Sequence, residues 1–395
     1  MDYQKIKECQ EEYVLGTYAP KTLLVKGEGS YVWDDAGKKY LDLSTGISVC
    51  NLGHSHPKVA EAISEQAKTL LHVSNLFMNC NQPLLAEKIS KASFNGKVFF
   101  SNSGAESNEG LIKFARKWGS DKGRHDIICM EDSFHGRTLA TLAATGRSKY
   151  RVGFAPDLQG FSHVKFGDLE AVKAQITDTT AAIMLECVLG EGGVLPAKKE
   201  FIQGLRQLCD ENGILLMLDE VQTGIGRTGT MFAYQHYGIE PDAMSMAKAL
   251  GNGMPMGAFT LQRQYEGILV PGTHATTFGG TPLACAAALA VFDIFEEENV
   301  LENVKARSLQ FEAAIHHFKV KYDFVSDSRI LGLMIGIDVT IPTGDVLAKA
   351  AEKGLIILTA GEQTVRLLPA LNITEEQVAD AIAILDEVFT ELSNG

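Results

Sequence analysis

Residues 214–224, Ile214-Leu215-Leu216-Met217-Leu218-Asp219-Glu220-Val221-Gln222-Thr223-Gly224, run from five apolar side chains into two adjacent carboxylates and a turn. A short apolar run bounded by turn-forming residues suits a strand buried on both faces of a parallel sheet, and open α/β sheets bind ligands beyond the carboxyl ends of such strands. Similar runs at 98–100, 127–130, 181–185 and 243–247 are rich in Val, Ile, Phe, Leu and Met. Helical patterns lie between them. Residues 105–118 place Leu111, Phe114, Ala115 and Trp118 at helical spacing, and 199–212 end at Gly213, a natural C-terminal stop. Strand–helix alternation predicts an α/β domain with helices on both faces of a mostly parallel sheet.

The chain ends read differently. Residues 30–43 predict a hairpin, 31–33 and 39–43 flanking Asp34-Asp35-Ala36-Gly37. Beyond 297 the pattern mixes helices (298–320, 345–353 and from Thr374) with strands (331–339, 355–359 and 364–368), and Thr374 with Gln377 has capping-box spacing. Both ends together predict a smaller α+β domain. The expected organisation is residues 1–45 and 297–395 in the small domain and 46–296 in the large one.

The 395 residues carry 36 Lys and Arg against 49 Asp and Glu, a formal charge of −13. That charge argues against nucleic acid and anionic membrane surfaces, which call for basic patches. Hydrophobic residues at 45% argue against disorder. Seven cysteines without a Cys-x-x-Cys pair argue against a disulfide framework or a Cys-rich zinc site. The longest apolar segment, 283–292, is far below the ~20 residues of a membrane span. The acidic start, with Asp2, Glu8, Glu11 and Glu12, matches neither a secretory nor a transit signal. The expectation is a cytoplasmic, soluble protein.

Three stretches ask for chemistry. Phe100-Ser101-Asn102-Ser103-Gly104-Ala105-Glu106 empties a strand into a helix, where free backbone N–H groups can hold an anion; a mere helix cap would also explain it. Asp219 and Glu220 end the strand quoted above, where either a covered ligand site or a solvated cap is open. In Ala247-Lys248-Ala249-Leu250-Gly251, a single lysine follows an apolar strand and precedes a Gly-rich turn. Apolar surroundings depress a lysine pKa and make it a nucleophile or base, whereas most lysines keep their head in water. Taken together, a lysine, a carboxylate and an anion cradle are what pyridoxal phosphate requires. Asp219 and Lys248 are 29 residues apart, one strand in an alternating sheet.

The sequence resembles the class III, ornithine-type aminotransferases of pyridoxal-phosphate fold type I over almost its whole length. The resemblance is carried by Gly46-Ile47-Ser48-Val49 leading to Asn51-Leu52-Gly53-His54-Ser55-His56-Pro57, by Ser74-Asn75-Leu76-Phe77 and by 101–109. It continues in Phe134-His135-Gly136-Arg137-Thr138, 186–193, 218–229, 247–251, 274–280 and Arg366. It implies that Lys248 holds the cofactor as a Schiff base and moves the proton, while Asp219 keeps the pyridine nitrogen protonated. Val221 and Phe134 would sandwich the ring, and Gln222 would contact its phenolic oxygen. Ser103, Gly104 and Ala105 would cradle the phosphate, joined by Thr277 of a neighbouring subunit with Thr276 beside it, so the site implies a homodimer. Arg137 would clamp a substrate carboxylate, and Arg366 would bind the α-carboxylate of glutamate, with Glu191 as its alternate partner. The implied reaction moves the δ-amino group of N2-acetyl-L-ornithine to 2-oxoglutarate. Ornithine, 4-aminobutyrate and succinyl-diaminopimelate are the rival donors.

The chain departs from the family pattern at Cys187 and Leu189, where Pro and Gln are usual, at Pro20-Lys21-Thr22, and at Met78, where Tyr is usual. These positions bear on substrate identity rather than on cofactor chemistry. Gly224-Ile225-Gly226-Arg227-Thr228-Gly229 formally matches a dinucleotide fingerprint, yet its glycines start several residues past the strand and no long helix pattern follows. Ser245-Met246-Ala247-Lys248 has serine–lysine acylase spacing without the accompanying motifs. His54 and His56 lack a third ligand at helical spacing, so no metal site is expected. A scaffold without catalysis would be missing the lysine or the ring carboxylate, and both are present.

Overall fold

The computed structural model describes residues 2–20 and 22–394; Lys21 of the Pro20-Lys21-Thr22 departure lies outside them. Seven strands build the central sheet: β1 (Lys97–Ser101), β2 (Asp126–Met130), β3 (Phe161–Val164), β4 (Thr180–Glu186), β5 (Leu215–Asp219), β6 (Ala243–Met246) and β7 (Gly257–Leu261). Their spatial order is β1-β7-β6-β5-β4-β2-β3, parallel except for β7, which runs antiparallel to both of its neighbours. The five apolar runs read from sequence are β1, β2, β4, β5 and β6. β3 and β7 were not anticipated, because Phe161-Ser162-His163-Val164 and Gly257-Ala258-Phe259-Thr260-Leu261 each carry polar or small residues that dilute the apolar signal.

Every side chain of β4, β5 and β6 is buried, as a strand covered on both faces requires. Helices Gly104–Gly119 and Lys199–Asn212 supply part of that cover, the second ending on Gly213 at φ +57. Gly110 is needed for the first to approach β7. A Cβ there would lie 2.2 Å from Cε1 of Phe259, whose ring is stacked on Phe99 at 5.2 Å.

Register places the chemistry. Asp219 pairs across the sheet with Glu186 on β4 and with Ser245 on β6. Three polar side chains on adjacent strands therefore share one row at the carboxyl edge, and the chain beyond β6 brings Lys248 to the same edge.

The two chain ends meet in a second sheet. The hairpin of Tyr31–Asp34 and Lys39–Asp42 is flanked by Leu24–Glu28 on one side, and Leu355–Ile356 pairs parallel to Lys39–Asp42 on the other. The stretch expected as one strand at 331–339 is a hairpin instead, Val325–Leu331 and Met334–Val339, because Gly332 at φ +60 turns the chain. The helix expected at 298–320 runs from Val300 to Lys321 and is separated from helix Pro282–Glu297 by Asn299 at φ +49. Thr374 and Gln377 form a closed capping box, with bonds of 3.0 and 3.2 Å between side chains and main-chain N–H groups. All seven cysteines are free. No helix among the described residues is long and apolar enough to cross a membrane.

His54 locks the hairpin to the loop that follows it. Its Nε2 is 2.7 Å from Oδ2 of Asp42, and its main chain bridges to Gly29. The hydrogen bond to Asp42, then that to Cys50, raises the imidazole pKa from 6.5 to about 9 against the opposing effect of burial. A raised folded-state pKa gives stability that is complete below the unfolded value of 6.5 and lost as pH climbs through about 9. Urea midpoints measured from pH 6 to 10 should fall across that window in the wild type and fall less in His54→Asn. Parallel profiles would contradict the pairing.

Candidate active site

A cavity of about 450 Å³ opens at the carboxyl edge of the sheet. Its lining includes Ser103, Gly104, Ala105, Phe134, Arg137, Glu191, Asp219, Val221, Gln222 and Lys248. Arg366 lies at its wall: Nη1 is 2.8 Å from Oε1 of Glu191, 3.2 Å from the carbonyl of Gly190 and 3.5 Å from Oε1 of Gln222. Thr276 and Thr277 do not reach this cavity. They line a neighbouring exposed pocket, and the two places meet at Asn102, whose Nδ2 is 3.4 Å from Oγ1 of Thr276.

The first turn of helix Gly104–Gly119 forms one wall. Ser103 caps it, its Oγ accepting from the N–H of Glu106 at 3.2 Å. N–H groups of a first helical turn have no intrahelical acceptor, and the helix dipole adds positive potential there. Gly104 is hemmed in by Val221: a Cβ would lie 2.7 Å from its Cγ1. Only a glycine lets the main chain and Val221 come this close.

Asp219 is buried at 3% exposure and fully engaged. Oδ2 accepts from Nδ2 of Asn108 at 2.7 Å and faces Nδ1 of His135 at 2.8 Å, while Oδ1 accepts from the N–H of Val221 at 3.0 Å. Asn108 is fixed in turn. Its Nδ2 also donates to the carbonyl of His135 at 2.8 Å, and its Oδ1 accepts from the Ser245 hydroxyl at 2.6 Å. Burial pulls the His135 pKa down, but the hydrogen bond and charge of Asp219, with the charge of Glu186, outweigh it and leave it raised. Glu186, in the same row, has its carboxyl pushed up mainly by burial, and its Oε2 accepts from the N–H of Phe134 at 3.0 Å.

Lys248 follows β6 in a left-handed backbone conformation, φ +48, uncommon for a side chain with a Cβ. Desolvation, then the charge of Arg366, hold its amine below the usual lysine range against the pull of Asp219, Glu191 and Glu186. A lysine amine of lowered pKa can act as nucleophile or proton carrier.

Residues 16–389 match the family model described as Aminotransferase class-III. The chain belongs to the class-III aminotransferases. Acetylornithine aminotransferase of Caldanaerobacter subterraneus is 47% identical over 97% of this chain and 98% of that one. Acetylornithine aminotransferase of Methanocaldococcus jannaschii is 48% identical over 98% of each. The solved structure of ornithine aminotransferase from Toxoplasma gondii superposes with a TM-score of 0.96 at 29% identity, over 100% of this chain and 96% of that one.

In this class-III aminotransferase the cavity fits pyridoxal phosphate on its own chemistry. It offers the first turn of a helix whose main chain at Gly104 lies too close to Val221 for a Cβ, a buried carboxylate with three fixed donors, and a lysine of lowered pKa. None of the described sequence departures lines it. Cys187 and Leu189 are buried in the interior, Met78 is 96% exposed, and Pro20 lines a separate pocket. Sequence reading missed Asn108, Ser245 and the contact of His135 with Asp219. The available signal was a polar residue at each of two otherwise apolar surfaces, Asn108 four residues after Gly104 and Ser245 in the middle of β6.

Asn108→Ala should lower the urea stability of the cofactor-free protein by about 1–3 kcal/mol, since it strips one donor from a buried carboxylate and orphans the Ser245 hydroxyl. An unchanged midpoint would contradict the network.

Proposed function

We propose that this chain is an acetylornithine transaminase, moving the δ-amino group of N2-acetyl-L-ornithine to 2-oxoglutarate by a ping-pong route and yielding N-acetyl-L-glutamate 5-semialdehyde and L-glutamate. Such a step belongs to arginine biosynthesis, and the reading places the protein in the cytoplasm as a homodimer. Residues 46–296 form its cofactor-binding domain, and 1–45 with 297–395 the smaller one. When bound, pyridoxal phosphate supplies an electron sink for loss of a proton from the carbon bearing the amine.

Ser103, Gly104 and Ala105 hold the phosphate through main-chain N–H groups, with Thr277 of the second subunit completing the cradle and Thr276 near the substrate. Asp219 accepts from the pyridine nitrogen and keeps it protonated. Val221 and Phe134 would sandwich the ring, and Gln222 would contact its phenolic oxygen. Lys248 anchors the cofactor, and its lowered amine pKa suits it to take the proton from the amine-bearing carbon and return it.

The observation that carries the substrate reading is the pair of Arg366 with Glu191, 2.8 Å apart, with Glu191 and Arg137 lining one cavity. Arg366 is 2% exposed, whereas Glu191 is only part-buried. Glutamate reacts at its α-amine and needs a cation for its α-carboxylate; acetylornithine reacts at its far end and has no carboxylate there. A cation whose anionic partner can rotate away serves both. Arg137, with Arg147 and Lys149 close by, places positive charge where the far end of the donor lies. The free α-ammonium of ornithine is repelled there, and N-acetylation removes that charge. The two relatives at 47% and 48% identity support the same substrate.

With 2-oxoglutarate as acceptor, kcat/KM should be highest for N2-acetyl-L-ornithine in a panel including ornithine, 4-aminobutyrate and N-succinyl-diaminopimelate. If 4-aminobutyrate or ornithine leads, the substrate reading is wrong. Arg137→Ala should raise KM for carboxylate donors at least about tenfold, the scale of one charge-assisted hydrogen-bond pair, with the cofactor's visible band retained; loss of that band would contradict its role.

A further inference from the structure

Tyr150 has no part in the roles assigned so far, yet four side chains converge on its ring. The guanidinium carbon of Arg137 is 3.9 Å from the ring centroid, that of Arg147 is 5.5 Å away, and Nζ of Lys149 is 5.5 Å away. Phe134, from the cavity wall, meets it edge-on at 6.0 Å and 89°. A cation attracts an aromatic face within about 6 Å, so Arg137 is well inside the range and the closest of the three.

The ring is also tied down. Tyr150 ends the short 3-10 turn Ser148–Tyr150. Arg147 Nη1 donates to its hydroxyl at 3.3 Å and to the main-chain carbonyl of Glu191 at 3.1 Å. The N–H of Gly361 donates to the same carbonyl at 2.8 Å. The loop that carries Glu191 is thus fixed at its main chain and holds, through Arg147, the platform on which Arg137 rests.

Arg137 itself is exposed, with no intrachain ion pair among the described residues to fix its long side chain. An unrestrained arginine loses rotamer freedom when it engages a ligand, and prior restraint reduces that loss. We propose that Tyr150 is a positioning residue for substrate-carboxylate recognition, its ring holding the Arg137 guanidinium at the cavity mouth and its hydroxyl anchored through Arg147 to the Glu191 main chain. This rests on Arg137 being a carboxylate clamp. It adds a specificity element in the loop between helix Leu139–Ala144 and β3, beyond the Phe134–Thr138 stretch that carries the resemblance.

The test uses the holoenzyme and glutarate, an unreactive five-carbon dicarboxylate, titrated through the change it makes in the cofactor's visible spectrum. Tyr150→Ala should weaken glutarate binding by about tenfold, the scale of a partly desolvated cation–π contact. Tyr150→Phe, which keeps the ring, should stay within about threefold of wild type. In an Arg137→Ala background, Tyr150→Ala should add no further loss, because the ring acts through Arg137. If Tyr150→Ala does not load cofactor, Tyr150→Leu takes its place, keeping bulk without the aromatic face. Wild-type glutarate affinity in Tyr150→Ala or Tyr150→Leu, with weakened affinity in Arg137→Ala, overturns the positioning role and leaves the clamp intact. Wild-type affinity in Arg137→Ala overturns the clamp and this inference with it. A further loss in the double variant equal to that in the single one assigns Tyr150 to general packing and also overturns the proposal.

Discussion

A carboxylate buried at the end of a central strand is the constraint around which the rest of the site is arranged. Asp219 is at once the last residue of β5 and a charge removed from water, a state that costs several kcal/mol unless partners satisfy it. Three donors converge on it from three elements: Asn108 on the helix after β1, His135 on the loop after β2, and the N–H of Val221 just beyond β5 itself. To satisfy one carboxylate, the sheet order, the helix rotation and the loop path must all be right together. The same constraint carries Ser245 into the network through Asn108, and with it the end of β6 that leads to Lys248.

Much of this architecture is legible in the sequence, for identifiable reasons. Five of the seven central strands are apolar runs because they are covered on both faces, and such runs have a clear signature. β7 escaped because its Gly257 approaches the main chain of Ser103, where a Cβ would lie 2.5 Å from the carbonyl oxygen, so packing rather than apolar character chose the residue. The Gly332 turn inside the expected strand at 331–339 was similarly hidden by apolar neighbours. At the site, residues adjacent to glycines and strand ends were readable as chemistry. Asn108, Ser245 and Tyr150 were not, because each acts through another side chain, and nothing in spacing records such contacts.

The formal charge of −13 describes the surface as a whole and conceals the cavity. There Arg137 lines a space edged by the start of a helix, Arg366 pairs with the lining residue Glu191, and Arg147 and Lys149 share the Tyr150 ring with Arg137. An acidic protein that handles phosphate and carboxylates has to reverse its charge locally, and this one does so with a buried arginine neutralised by a part-buried glutamate and an exposed arginine laid on an aromatic ring. In the proposed reading the arrangement separates affinity from selectivity: the cations would attract any anionic substrate, and the partners that hold them would decide which end of a substrate is accepted.

Peptide mapping after borohydride reduction of the protein loaded with pyridoxal phosphate locates the residue that holds the cofactor. One pyridoxyl group per chain is expected, on the peptide containing Lys248, with a near-complete loss of stable loading in Lys248→Ala. Reduction that labels a different lysine, or no lysine while the protein still holds the cofactor, would contradict that expectation.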